Sequence, residues 1–376
     1  MAGIYIHVPF CKRKCGYCDF YSIARTDLIQ NYLSAIEKEL FLRRNYLDGE
    51  IVQTIYFGGG TPSLLQPTDI QQIINFIKNN FDISPETEIT IEANPDDLTE
   101  NYIMQLAETD VNRLSIGIQS FDDAQLHFMN RRHTAQQAID AVKCCQKHSF
   151  SNISIDLIYG LPQMSIEQWC QQLKIAERLG VQHLSAYHLT YEEGTAFGQK
   201  LKKQQITEIS EDESLAQFEI LTNWAKTAQF EHYEISNFAK SGYQSRHNSS
   251  YWNRTKYLGI GPAAHSYNQV ARSWNIANVK MYIAEIEKGK LPSEIETLSE
   301  SDKFNDYVIT ALRTSAGIDL QFLQDNFQKS KIDYLLRQAD SFLKSNKLEF
   351  AENHLKLTHN GIFISDEIME ALIVIE

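Results

Sequence analysis

The stretch GIYIHVPFCKRKCGYCDF, residues 3–20, carries two signals in immediate succession. Its first six residues alternate β-branched and aromatic side chains and read as a strand, which Pro9 ends. The strand delivers the chain into a CxxxCxxC loop, Cys11, Cys15 and Cys18. Three thiolates on one short loop can hold three corners of a cubane iron–sulfur cluster, leaving the fourth iron without a protein ligand. A structural zinc site takes four closed ligands. No fourth cysteine lies nearby, but His7 could complete such a site, so a zinc knuckle stands as the alternative. Lys12, Arg13 and Lys14 sit between the thiols and are expected to lower their pKa values and offset a cluster's negative charge.

Outward from this loop, a short apolar strand followed by an amphipathic helix recurs. Asp27 to Leu47 has helical spacing, with Asp27 as its N-cap. The strand IVQTIYF runs into Gly58-Gly59-Gly60. Then follow a helix over 67–81, the strand TEITIEA, a helix over 101–108, the strand NRLSIGIQ, a helix over 134–148, the strand NISIDLIYG, a helix over 165–179 and the strand HLSAYHL. Six βα units without hairpin signals predict an α/β fold with a parallel sheet. Six are too few for a closed eightfold barrel. A partial, TIM-like (βα)6 barrel fits, and an open doubly wound sheet competes with it. Either fold gathers chemistry at the carboxyl ends of its strands. The cysteine loop, Gly58 to Thr61, Glu92, Gln119, Asp156 and Thr190 all fall there.

The rest of the chain is of different character. Residues 195–245 are more polar, with a helix around 212–228, and 246–273 read as an aromatic-rich loop. Helical patterns return from Ser301. Near the end, two short strands around Glu352-Asn353 and a final helix suggest a small winged-helix-like unit. This divides the chain into a barrel (1–195), a barrel extension (196–290) and a C-terminal helical domain (291–376). With 376 residues and 35 basic against 48 acidic side chains, the net charge of −13 repels polyanions and argues against a nucleic-acid partner. No apolar run reaches the roughly 20 residues of a membrane span. The first residues lack the pattern of a secretory signal. A cytoplasmic protein with reduced cysteines is expected. Cys144, Cys145 and Cys170 read as small buried hydrophobes and are assigned no function.

YIHVPFCKRKCGYCDF, YFGGGTPS, TIEANP, SIGIQSF, MNRRH and DLIYGLP occur in this order. Together they resemble the radical S-adenosylmethionine (SAM) proteins, and within them the family of oxygen-independent coproporphyrinogen III oxidases and HemW heme chaperones. The resemblance implies a [4Fe-4S] cluster on Cys11, Cys15 and Cys18, with SAM chelating the open iron and an electron supplied by a donor such as flavodoxin. It places Tyr5 and Tyr17 beside the cofactor and Gly59, Gly60 and Thr61 at the methionine amino group. Glu92, Gln119, Asp156 and Thr190 would contact SAM, and Arg131 its carboxylate, for which a guanidinium fork is suited.

Two departures from the oxidase pattern favour the chaperone side. Phe20 stands where the oxidases resembled carry a fourth cysteine, and only ten residues precede Cys11. In addition, His247-Asn248-Ser249-Ser250-Tyr251-Trp252 fits HNxxYW, a HemW motif associated with heme. His247 would supply an axial imidazole, and Tyr251 and Trp252 would wall the macrocycle. His265 is a weaker ligand candidate. The resemblance thus implies heme transfer to acceptors such as respiratory membrane enzymes, dimerisation on cluster loading and contact with the inner membrane face. It leaves SAM turnover open. The alternative is an oxidase that decarboxylates coproporphyrinogen III.

Overall fold

A computed structural model describes residues 1–375. Its centre is a parallel run of strands: β1 (Ala2–Val8), β2 (Val52–Gly59), β3 (Ile83–Ala93), β4 (Arg113–Gln119), β5 (Ile153–Tyr159) and β6 (His183–His188). They pair in sequence order, each with the next. A doubly wound sheet would reverse its strand order at a switch point. This run never reverses, so the partial barrel is the architecture. β1 and β6 do not meet. The hairpin β7 (Glu231–Glu234) and β8 (Asn237–Ala239) extends the sheet beyond β6, and β9 (Lys256–Ile260) lies parallel to β1. Antiparallel β10 (His265–Tyr267), β11 (Ala271–Asn275) and β12 (Ser293–Thr297) continue to the edge.

Strand periodicity sorts the side chains. Ile4, Ile6 and Val8, Ile55 and Phe57, and Ile89 and Ile91 are buried on the outer face. Helices α1 (Ile29–Leu42), α2 (Pro67–Asn80), α3 (Glu100–Ala107), α4 (Asp123–Phe128), α5 (Ala135–Lys147) and α6 (Ile166–Leu179) connect these strands, and their apolar faces share that core. Each fully buried Ile or Phe contributes about 1.5–3 kcal/mol. The alternate positions, among them Tyr5, Tyr56, Thr90, Glu92, Arg113, Ser115, Ser154, Asp156, His183 and Ser185, turn inward and give the barrel a polar lumen.

Several local expectations are corrected. Asp27 does not cap α1. Its carboxylate pairs with Arg25, and the helix starts at Ile29 and ends at Leu42. Beyond helices α7 (Ala196–Lys202) and α8 (Glu211–Thr227), the segment from Arg246 is not a loop: it forms the short helix α9 (Arg246–Trp252) and the strands β9 to β11. Strand β12 belongs to the large sheet, so the C-terminal unit begins after it. Phe304, Val308, Leu312, Leu335, Leu355 and Leu372 build its separate core. Its hairpin, Leu348–Ala351 with His354–Leu357, turns at Glu352 and Asn353, both with left-handed φ (49° and 64°), and pairs with Ile318–Asp319.

Candidate functional site

At the carboxyl ends of the strands, one cavity of about 590 Å³ collects Cys11, Cys15, Cys18, Tyr17, Gly59, Gly60, Thr61, Glu92, Gln119, Arg131, Asp156 and Thr190. Of the residues expected around cluster and SAM, only Tyr5 is not in its wall. Tyr5 lies lower in the lumen, its hydroxyl 3.1 Å from His7 Nδ1. The cysteine loop is tied down at Cys11, whose N–H donates to the Ile23 carbonyl, and at Gly16, whose N–H donates to Met129 O. A Cβ at Gly16 would lie 2.3 Å from the Phe197 ring, so this position needs glycine for packing.

The thiols have different neighbours from those expected. Thr61 Oγ1 donates to Cys11 Sγ at 3.4 Å, and Arg131 Nη1 donates to Cys15 Sγ at 3.3 Å. Lys12 turns away to Asp97 (2.8 Å), which also holds Arg132 and Ser63. Burial pushes the Cys18 thiol up to about 11, Cys15 and Cys11 push the same way, and Lys14 opposes them only weakly. The lowering expected from the basic run is therefore outweighed at Cys18: burial is the largest effect, Lys14 pulls the other way, and Lys12 is engaged by Asp97. The guanidinium that touches a sulfur is Arg131. Its other partners are Asn94 Oδ1 and the Gly117 carbonyl, so in this arrangement it braces the loop.

Three thiols with no fourth cysteine fit a cubane better than a zinc ion. Donors to one zinc sit within about 4 Å of each other. Among the described residues, the group whose donor atoms lie within 4.8 Å of one another is Glu100, Cys144 and His148, on the surface. The loop sulfurs form no such compact group, and their wider spacing leaves room for a larger cluster.

Glu92 and Asp156 are the carboxylates of this cavity that come from the strands of the barrel. Glu92 Oε1 accepts from the Tyr56 hydroxyl at 2.8 Å and Oε2 from the Gly59 N–H at 3.1 Å. Burial, reinforced by Asp156, raises Glu92 to about 7. Burial raises Asp156 to about 6, with Ser185 and Arg113 holding it from going higher. Both therefore change charge close to neutral pH. They suit hydroxyl or ammonium groups, which would replace the missing solvent. Tyr56 and Arg113 were not singled out from the sequence. Arg113 is 1% exposed, and its Nε has no hydrogen-bond partner. Their signal was present as polar side chains at alternate positions of strands whose other face is apolar.

The HNxxYW motif lies in helix α9 (Arg246–Trp252) at the amino ends of the strands, opposite the cavity. Glu88 accepts from the N–H groups of Arg246 and His247, and Ser245 caps the helix through Asn248 N. His247, the imidazole expected to ligate heme, is 1% exposed and closed off from solvent in this arrangement. Its Nδ1 is 2.8 Å from Thr54 Oγ1 and its Nε2 2.9 Å from the Tyr251 hydroxyl. Burial, then the Arg113 charge, lowers it to about 3, so it is neutral. Trp252 lies under the Arg313 guanidinium of the C-terminal unit, 5.0 Å from its ring centre. The physical reason is packing: α9 plugs the lumen floor, where Thr54 and Tyr251 satisfy the His247 ring while Trp252 Nε1 is left buried without a hydrogen-bond partner. His265 is exposed and stacks on Trp274.

The fold and this site define a radical SAM protein: the Radical SAM superfamily model matches residues 5–174, and the HemN C-terminal domain model matches residues 298–364. The coproporphyrinogen III oxidase HemN of Escherichia coli has the same fold, with a TM-score of 0.85 at 22% identity, over 99% of this chain and 90% of that one. The heme chaperone HemW of Bacillus subtilis is 30% identical over 99% of both chains. That of Lactococcus lactis is 30% identical over 98% of this chain and 97% of its own. The chain belongs to the HemW family. No helix of the described residues is long and apolar enough to cross a membrane.

Proposed function

We propose that this protein is a heme chaperone that carries a [4Fe-4S] cluster and SAM in the rim cavity, binds heme through the HNxxYW helix and passes it to an acceptor. The observation that carries this reading is the convergence of the cysteine loop, the glycine turn, Glu92 and Asp156 on one cavity, with the HNxxYW helix closing the same lumen from below.

Cys11, Cys15 and Cys18 would hold the cluster. Bound together, cluster and SAM supply one-electron reductive chemistry. Thr61 and Arg131 donate to sulfurs and stabilise their negative charge. Glu92 and Asp156 accept hydroxyl or ammonium hydrogens of SAM, Gly59 and Gly60 admit it to the backbone, and Tyr17 offers an aromatic face. Heme ligation by His247 requires the Tyr251 hydroxyl to leave Nε2 and α9 to move outward. An electron donor such as flavodoxin, dimerisation on cluster loading, peripheral membrane contact and respiratory membrane acceptors complete the proposal.

The test is a heme titration of the anaerobically reconstituted protein, followed by transfer to a heme-free respiratory membrane protein. Heme binding with transfer supports the reading. Rescue of a heme-auxotrophic strain that lacks the oxidase would replace it with porphyrinogen decarboxylation.

A further inference from the structure

The rim cavity and the HNxxYW helix lie at opposite ends of the lumen, and one side chain touches what matters at both. The Tyr56 hydroxyl donates to Glu92 Oε1 at 2.8 Å. The same ring stacks on His247, with centroids 4.9 Å apart and planes at 22°. Tyr5 lies against both, 6.2 Å from Tyr56 and 6.2 Å from His247, each at 26°. Beyond His247 the column continues to the Tyr251 hydroxyl and to Thr54.

The column is close-packed. A Cβ at Gly58 would lie 2.9 Å from both tyrosine rings and 3.1 Å from Glu92 Oε1. Gly58 is thus glycine because Glu92, Tyr56 and Tyr5 meet over it. A group so confined cannot shift at one end without shifting at the other, since packed cores change in discrete steps.

We propose that Tyr56 is the positioning residue that couples SAM occupancy at Glu92 to the release of His247. The proposal rests on the reading above, with SAM at the Glu92 end and heme at His247. In the structure described here, Glu92 holds the tyrosine, and the tyrosine backs the imidazole in its closed position. A SAM hydroxyl or ammonium that takes Glu92 Oε1 displaces the Tyr56 hydroxyl. The ring then shifts together with the packed column, His247 loses its flat support, and Nε2 exchanges Tyr251 for heme iron. SAM therefore favours the open form of α9. By linkage, heme strengthens SAM binding by the same factor. The coupling needs no SAM cleavage: SAM acts as the signal that the rim is loaded.

The experiment is a hemin titration of the cluster-loaded full chain, followed at the Soret band with and without SAM and without reductant. In the unaltered protein, SAM should tighten hemin binding about tenfold. In Tyr56→Phe, which keeps the ring and loses the hydroxyl, SAM should change hemin affinity by less than about twofold, since the displaced bond carries the coupling. Equilibrium dialysis of SAM with and without hemin should return the same factors. A factor that persists in Tyr56→Phe overturns the coupling, and so does its absence from the unaltered protein. Failure of the underlying reading looks different. If His247→Phe titrates with hemin as the unaltered protein does, the heme site lies elsewhere, whatever SAM does.

Discussion

Replacing Glu92 by Gln should make the cluster-free protein more stable at alkaline pH while removing SAM binding. Glu92 titrates near 7 in the fold because burial penalises its charge, against 4.5 when unfolded. A raised carboxylate costs stability above its native pKa, and the cost disappears as pH falls toward the unfolded value. At pH 8 the side chain is charged in both states. At pH 5 it is protonated in the native state and still mostly charged in the unfolded one. Linkage over that interval makes the native state at most about 2.5 kcal/mol more stable at pH 5 than at pH 8 through this group alone. Gln has no such dependence. Its oxygen can still accept from the Gly59 N–H while its amide donates to the Tyr56 hydroxyl oxygen, so the hydrogen-bond cost is small and the same at either pH. Urea unfolding followed by tryptophan fluorescence should therefore show the Gln variant gaining on the unaltered protein from pH 5 to pH 8. A difference that does not change with pH would refute the assignment of Glu92 as a carboxylate kept at the cavity wall against a stability cost. Asp156→Asn should behave the same way over a lower interval, since Asp156 titrates near 6.

Further outcomes are expected. Cys15→Ala should leave a soluble fold and abolish the cubane, and anaerobic iron analysis that still finds a full cluster would remove Cys15 from the ligand set. Arg131→Gln should expose the cysteine loop to proteolysis, because the guanidinium bridges Cys15, Asn94 and Gly117. An unchanged digestion pattern would assign it to SAM alone. Gly58→Ala should destabilise by about 1–3 kcal/mol through overpacking against Tyr5 and Tyr56, as read by thermal unfolding. His247→Ala should weaken heme binding and cost on the order of 2–4 kcal/mol, because Thr54 and Tyr251 lose a buried partner. An unchanged Soret titration would place heme elsewhere.

The βα alternation and the CxxxCxxC loop were legible because each rests on local chemistry. Strand and helix periods show directly in residues such as Ile55 and Phe57 or Ile73 and Ile77, and thiol spacing shows in three positions. The aromatic stretch after Arg246 carries no local strand or helix signal, since its order comes from elsewhere. Glu88 caps α9 across 158 residues of chain, and β9 becomes a strand by pairing with β1. Lys12 shows the same limit: its partner is Asp97, which no local pattern joins to it.

Sequence alone determined which residue types were present for this chemistry, and in what order along the chain: three thiols, a glycine turn, four polar strand ends and an HNxxYW block. Tertiary structure decided the rest. It chose a singly wound run over a doubly wound one, put Arg131 rather than Lys12 on a sulfur, and closed His247 inside the lumen behind Tyr56. Covalent order and side-chain period act over a few residues. Countercharge, burial and hydrogen-bond partners are set by which strands become neighbours, and that exists only once the sheet has formed.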